Sequence, residues 1–202
     1  MVDHLDASSL VDTALLAALP APTGALAARV VEGLRVLVVR HLPGGQAAIE
    51  ATVAAVAAPG LVSLPSPGAF RGVDPWLVWT GPAECLLLTS SSTMAEGVLQ
   101  GLAPGREALA CALDQSAGHL VLELSGLGVA ESLHRLFDAG SIPHQVGQGS
   151  RARLMDIGAV LLRLAPDRVL LVLDRTHGLY VAQWITHALQ DEGALADARP
   201  LR

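Results

Sequence analysis

Lysine and asparagine do not occur in this chain of 202 residues, and charge of either sign is scarce. Charged residues make up 16 %, against about 25 % for an ordinary soluble domain. All 13 basic residues are arginine. No stretch of them is dense enough to track a phosphate backbone, so nucleic acid is not an expected partner. Cysteine is nearly absent as well. Cys85 and Cys111 make neither a disulfide framework nor a CxxC pair, and read as small buried hydrophobes in a reducing compartment. A basic leader is missing: Asp3 and Asp6 precede any apolar run, which disfavours a secretory signal. The longest uncharged run, 51–70, contains Pro59, Pro65 and Pro67 and does not suit a membrane helix. A cytoplasmic protein with no membrane partner is expected.

What is present is apolar. Hydrophobic residues make up 51 % and the mean hydropathy is +0.48, which excludes intrinsic disorder for most of the chain. A chain of this size buries roughly 70 % of the surface its unfolded form exposes, enough for a core without disulfides or metal. A GC-rich genome accounts for the alanine excess. The abundant Leu, Val and Trp, with so little charge to solvate them, fit a subunit that hides part of its surface in a complex.

The first 28 residues read as an N-terminal arm with a short helix around 8–19. Residues 34–40 (LRVLVVR) are a strand. Ile49, Val53 and Val56 mark one face of a helix over 46–57. A Pro/Gly loop spans 59–75. The hairpin 76–80 and 85–90 follows, then a helix at about 94–102 with a capping box at Thr93 and Glu96. Residues 103–118 read as a linker with a helical turn near 106–112.

A second unit starts at 119. In 119–125 (HLVLELS), Leu120, Leu122 and Leu124 alternate with His119, Val121, Glu123 and Ser125, the pattern of a half-buried strand. Val129, Leu133, Leu136 and Phe137 give an amphipathic helix over 129–138. After a loop at 139–150 come strands 151–156, 159–164 and 168–174, and a last helix at 177–190. The hairpin turn Gly81-Pro82-Ala83-Glu84 aligns with Ala165-Pro166-Asp167-Arg168, so the two halves read as a diverged repeat. The expected fold is α+β. Two pseudo-symmetric β-α-β-β-α units, about 29–102 and 119–190, make a single domain over 29–202. Its sheet is mainly antiparallel, with helices on one face.

No convincing active site emerges. Gly126-Leu127-Gly128 opens like a dinucleotide fingerprint, but Glu131 replaces the third glycine and would repel a pyrophosphate at the helix start. His4, His41, His119, His134, His144, His177 and His187 show no metal-ligand spacing, and His134 and His187 fall on polar helix faces. There is no GxSxG elbow, and Ser125 lacks the preceding Gly-x. Asp156, Asp167 and Asp174 sit at turns, where Asp is common for turn reasons alone. Trp76 and Trp79 face opposite sides of a strand, one expected in the core and one exposed as a contact anchor. Trp184 reads as core. No catalytic, cofactor-binding or metal-binding residue is expected.

Within residues 119–189 stand Leu124-Ser125-Gly126-Leu127-Gly128, Leu133-His134-Arg135-Leu136, Arg151-Ala152-Arg153 and Leu173-Asp174-Arg175-Thr176, with Trp184 in the last helix. In these motifs the segment resembles the gamma subunit of heterotetrameric sarcosine oxidase. The first half follows by topology. The resemblance implies a fold like the folate-binding domains of aminomethyltransferase-like proteins. It also implies an accessory subunit in a complex that oxidatively demethylates sarcosine to glycine, with tetrahydrofolate taking the one-carbon unit. FAD, FMN, NAD, tetrahydrofolate and zinc would then belong to other subunits, and this chain would partner the larger flavin- and folate-binding ones. A stand-alone folate-binding or one-carbon protein and an unrelated interaction domain remain alternatives. A pocket between the repeats with a carboxylate for a pterin separates the stand-alone folate-binding reading from the accessory-subunit one, and Asp156 is the nearest carboxylate by position.

Overall fold

The computed structural model describes residues 13–20, 26–56, 63–105 and 109–197. Among the described residues, ten strands form two five-stranded sheets in which every pairing is antiparallel. The first half supplies β2 (Arg35–His41), α2 (Gln46–Val56), β3 (Phe70–Arg71), β4 (Trp76–Gly81), β5 (Glu84–Thr89) and α3 (Ser92–Gly101). The second supplies β7 (His119–Ser125), α4 (Val129–Leu136), β8 (Gly149–Leu154), β9 (Ile157–Ala165), β10 (Arg168–Asp174) and α5 (Gly178–Asp197). Before these halves stand α1 (Thr13–Ala18) with β1 (Ala27–Val30), and between them β6 (Ala110–Asp114). Among the described residues no helix is long and apolar enough to cross a membrane.

The strand orders are β3-β4-β5-β2-β6 and β8-β9-β10-β7-β1. Two of the edge strands, β1 and β6, pair away from their chain neighbours. β1 leads into β2 but pairs with β7, Ala27 opposite Ser125. β6 leads into β7 but pairs with β2, Val39 opposite Ala112. Neither strand was expected. Both are short and alanine-rich, and alanine has low strand preference. The segment read as a linker, 103–118, therefore holds β6 and a 3-10 turn at Ser116–Gly118; residues 106–108 of it lie outside the described residues. The segment before residue 29 contributes Leu15, Leu26 and Ala28 to the core. Residues 8–12 of its expected helix lie outside the described residues.

Three apolar layers hold the fold. α2 and α3 cover the outer face of the first sheet, with Ile49, Val53 and Val98 on Leu37, Leu77 and Leu87. α1, α4 and α5 cover the outer face of the second, with Leu15, Leu133 and Ile185 on Leu120, Leu122 and Leu171. Between the sheets lie Val36, Val78, Leu88, Val121, Leu162 and Leu170. The order is helices, sheet, sheet, helices. Each sheet carries its helices on one face, but the expected arrangement of sheets on one side and helices on the other is corrected. The half-buried alternation of β7 holds at His119, Glu123 and Ser125 and is corrected at Val121, which is buried because the first sheet lies on that face.

Two smaller expectations change. The cap of α3 is Ser91, whose Oγ accepts from the Met94 amide at 3.2 Å, so Thr93 lies inside the helix. The Pro/Gly loop contains β3. An Ala69–Gln148 bridge, with Phe70 N–H donating to the Gly147 carbonyl at 3.1 Å, ties the β3 edge to the β8 edge.

Candidate functional site

A cleft of about 370 Å³ lies between the sheets. Its floor is apolar, from Val38, Leu86, Val160 and Val172. Its rim is polar: Arg40, Thr80 and Glu84 lie at strand ends of the first sheet, His119 and Asp174 at strand ends of the second, and Arg151 within β8. Sequence reasoning missed this group because its members come from six strands of both halves.

The rim is internally bonded. Arg40 Nε pairs with Glu84 at 2.8 Å. The Thr80 hydroxyl donates toward the Glu84 carbonyl and carboxylate, 3.1 Å to each, and Arg151 donates to the Thr80 carbonyl at 3.3 Å. His119 Nδ1 lies 3.0 Å from the Gln115 carbonyl. The Asp174 carboxylate caps the next turn, accepting from the Thr176 hydroxyl at 2.6 Å and its amide at 2.8 Å. Those two bonds hold its carboxyl below the usual range. Each polar rim group is thus committed to structure, and none joins a nucleophile to a base.

The other candidates are scattered. Asp156 stands fully exposed in the β8–β9 turn, 3.8 Å from Arg153. It lines a separate hollow with Asp138 and Ser141, so the carboxylates of the cleft are Glu84 and Asp174. Gly126 has φ 123°, a conformation open essentially to glycine, and its N–H donates to the Asp167 carbonyl at 2.9 Å. Glu131 pairs with Arg135 at 3.0 Å across one turn of α4. Burial, with the Glu84 charge adding to it, pushes the Cys85 thiol up to about 11. Among the described residues no group of three His, Cys, Asp or Glu side chains could hold a metal ion. Trp76 and Val78 share the inter-sheet face, which puts Trp79 on the other face, as expected. Both tryptophans are half-buried, so the expectation of one exposed anchor is overturned. Trp184 packs on the core with its edge against Tyr180, ring centroids 6.2 Å apart.

No protein-family model matches the chain, and no curated protein matches it. Among solved structures, it is similar to a chain of the heterotetrameric sarcosine oxidase from Corynebacterium sp. U-96, in complex with pyrrole 2-carboxylate. The identity is 23 %, the match covers 98 % of both chains, and the TM-score is 0.75. It is also similar to the glycine cleavage system aminomethyltransferase T from Bartonella henselae, at 13 % identity and TM-score 0.58, over 85 % of this chain and 47 % of that one. The chain thus has an α+β fold of two antiparallel sheets that it shares along nearly its whole length with one chain of a sarcosine oxidase complex, and with about half of an aminomethyltransferase.

Proposed function

We propose that this chain is an accessory, non-catalytic subunit of a sarcosine-oxidase-like complex, in the place of its gamma subunit. The supporting observation is the two-way coverage: a chain of matching length and fold belongs to a heterotetrameric enzyme. The committed rim of the cleft agrees with a structural role. On this reading the complex demethylates sarcosine oxidatively to glycine and passes the one-carbon unit to tetrahydrofolate. Flavins, NAD, folate and zinc sit on other subunits. The matching strand orders of the two sheets support an origin of 29–102 and 119–190 as diverged copies.

The test is purification of the tagged chain from its own host. The expected product is a complex with larger flavoprotein subunits in fixed stoichiometry and sarcosine-dependent oxygen uptake, and the isolated chain is colourless. Recovery of the chain alone, or sarcosine oxidation by the chain alone, overturns the proposal. A stand-alone folate-binding role is favoured by one observation, the cleft shared between the sheets. Calorimetric titration of the isolated chain with 5-formyltetrahydrofolate decides it: a one-to-one heat supports that role, and no heat removes it.

A further inference from the structure

Three loops meet at one end of the second sheet: 126–128 after β7, 143–148 before β8, and 165–168 between β9 and β10. Hydrogen bonds make them one surface. Gly126 donates to the Asp167 carbonyl at 2.9 Å, and Gly147 to the Arg163 carbonyl at 3.0 Å. The Arg163 guanidinium donates to the Pro143 carbonyl at 3.3 Å and to the Pro166 carbonyl. Phe70, bonded to Gly147, extends the surface to the first sheet.

Two features set this face apart. The first is apolar exposure. Leu127 is 89 % exposed and Val146 55 %, and Val73, three residues beyond Phe70, is 83 % exposed. Leu127 and Val73 are the most exposed large hydrophobics among the described residues. The second is charge. Arg163 is only 8 % exposed, and its side chain bonds to carbonyls alone. Among the described residues no carboxylate lies within ion-pairing distance of it. A guanidinium carries five donors and a fixed charge, and a buried charge is ordinarily matched by an opposite one. Nearby Arg71 and Arg168 are also without an ion pair among the described residues. On the acidic side, Asp74 is bonded by Thr89 and Ser90, and Asp167 lies in the turn itself.

We propose that this face docks a partner subunit that lays aliphatic side chains on Leu127 and Val146 and directs a carboxylate to Arg163. The proposal rests on the subunit reading above and adds which surface is used and what chemistry covers it. Apolar contact supplies the area, and the carboxylate supplies the missing counter-charge and fixes the orientation.

The experiment compares the co-purified complex of the parent with those of Leu127→Glu, Val146→Glu and Arg163→Gln. Leu42→Glu and Met155→Glu, exposed sites away from these loops, serve as controls. Leu127→Glu and Val146→Glu should each weaken assembly at least about tenfold while melting within a few degrees of the parent. Arg163→Gln keeps a donor for the loop carbonyls but drops the charge, and should weaken assembly comparably. If Leu127→Glu and Val146→Glu assemble like the parent, the face is wrong and the subunit reading stands. If a folded Arg163→Gln assembles like the parent, the carboxylate assignment falls. If only the controls weaken assembly, or if Leu127→Glu instead dissolves a dimer of this chain, the proposal is overturned. A parent that captures no flavoprotein subunit overturns the subunit reading and this proposal with it.

Discussion

Ser116 sits where the chain passes from β6 of the first sheet to β7 of the second, and Ser116→Ala tests how that crossing is held. Its hydroxyl accepts from the Val36 amide at 2.9 Å and donates to the Asp114 carboxylate at 2.6 Å. Asp114 in turn pairs with Arg35, so one hydroxyl joins β2, β6 and the turn before β7. Val36 is buried, at 1 % exposed. Alanine leaves its N–H without a partner, and an unsatisfied buried donor costs about 1–3 kcal/mol. For a chain of this size, about 2 kcal/mol lowers Tm by roughly 4–8 °C. Burial raises the Asp114 carboxyl, but the Ser116 hydroxyl and amide and the Arg35 guanidinium outweigh it, so its pKa lies below the ordinary value. A depressed carboxylate stabilises the fold above its unfolded pKa of about 3.9, and that contribution is lost as pH falls through the folded value. Without the hydroxyl the depression shrinks. The gap between parent and variant should be widest at neutral pH and narrow below about pH 4. Urea unfolding followed by circular dichroism at pH 7 and pH 3 measures both effects. A variant within about 0.5 kcal/mol of the parent at pH 7, or a gap that widens in acid, refutes the reasoning.

Other outcomes follow from the same geometry. A Cβ at Gly45 would stand 2.1 Å from the Leu109 carbonyl oxygen, so Gly45→Ala must displace the entry to β6. A loss of about 1–3 kcal/mol in urea titration is expected, and an unchanged midpoint refutes the contact. Leu122 is fully buried under the helices of the second sheet, and Leu122→Ala should cost about 2–5 kcal/mol; a smaller loss in thermal or urea melts would mean the site collapses without strain. With its thiol pushed up to about 11, Cys85 should resist iodoacetamide at pH 8 in the folded protein and react only after denaturation. Peptide mass spectrometry reads the label, and alkylation of native Cys85 at the rate of a free thiol contradicts this.

Local pattern was enough for elements whose apolar face repeats within one segment. Ile49 and Val53, one turn apart, placed α2. Leu120, Leu122 and Leu124, two apart, placed β7. Turn glycines and prolines placed the β4–β5 and β9–β10 hairpins. The runs CLLLT and VLLVL of β5 and β10 carried a further signal, since near-continuous apolar strands are covered on both faces, and both are buried throughout. Read that way, they point to a second sheet where a single solvated face was expected.

The sequence by itself determined the α+β class, the antiparallel hairpins and the repeated order of elements, because these depend on periods of two and three to four residues within a segment. Only the tertiary structure decided the exchange of β1 and β6 between sheets, the face-to-face packing and the burial of Arg163. Alanine-rich strands such as AARV and ACALD offer no apolar contrast to read, and their partners Glu123 and Val39 lie tens of residues away. The cleft rim is decided in the same way. Arg40, Glu84, His119 and Asp174 carry no local signature: Arg40 meets Glu84 and His119 meets Asp174 by strand pairing within each sheet, and the two pairs come together only once the sheets have packed.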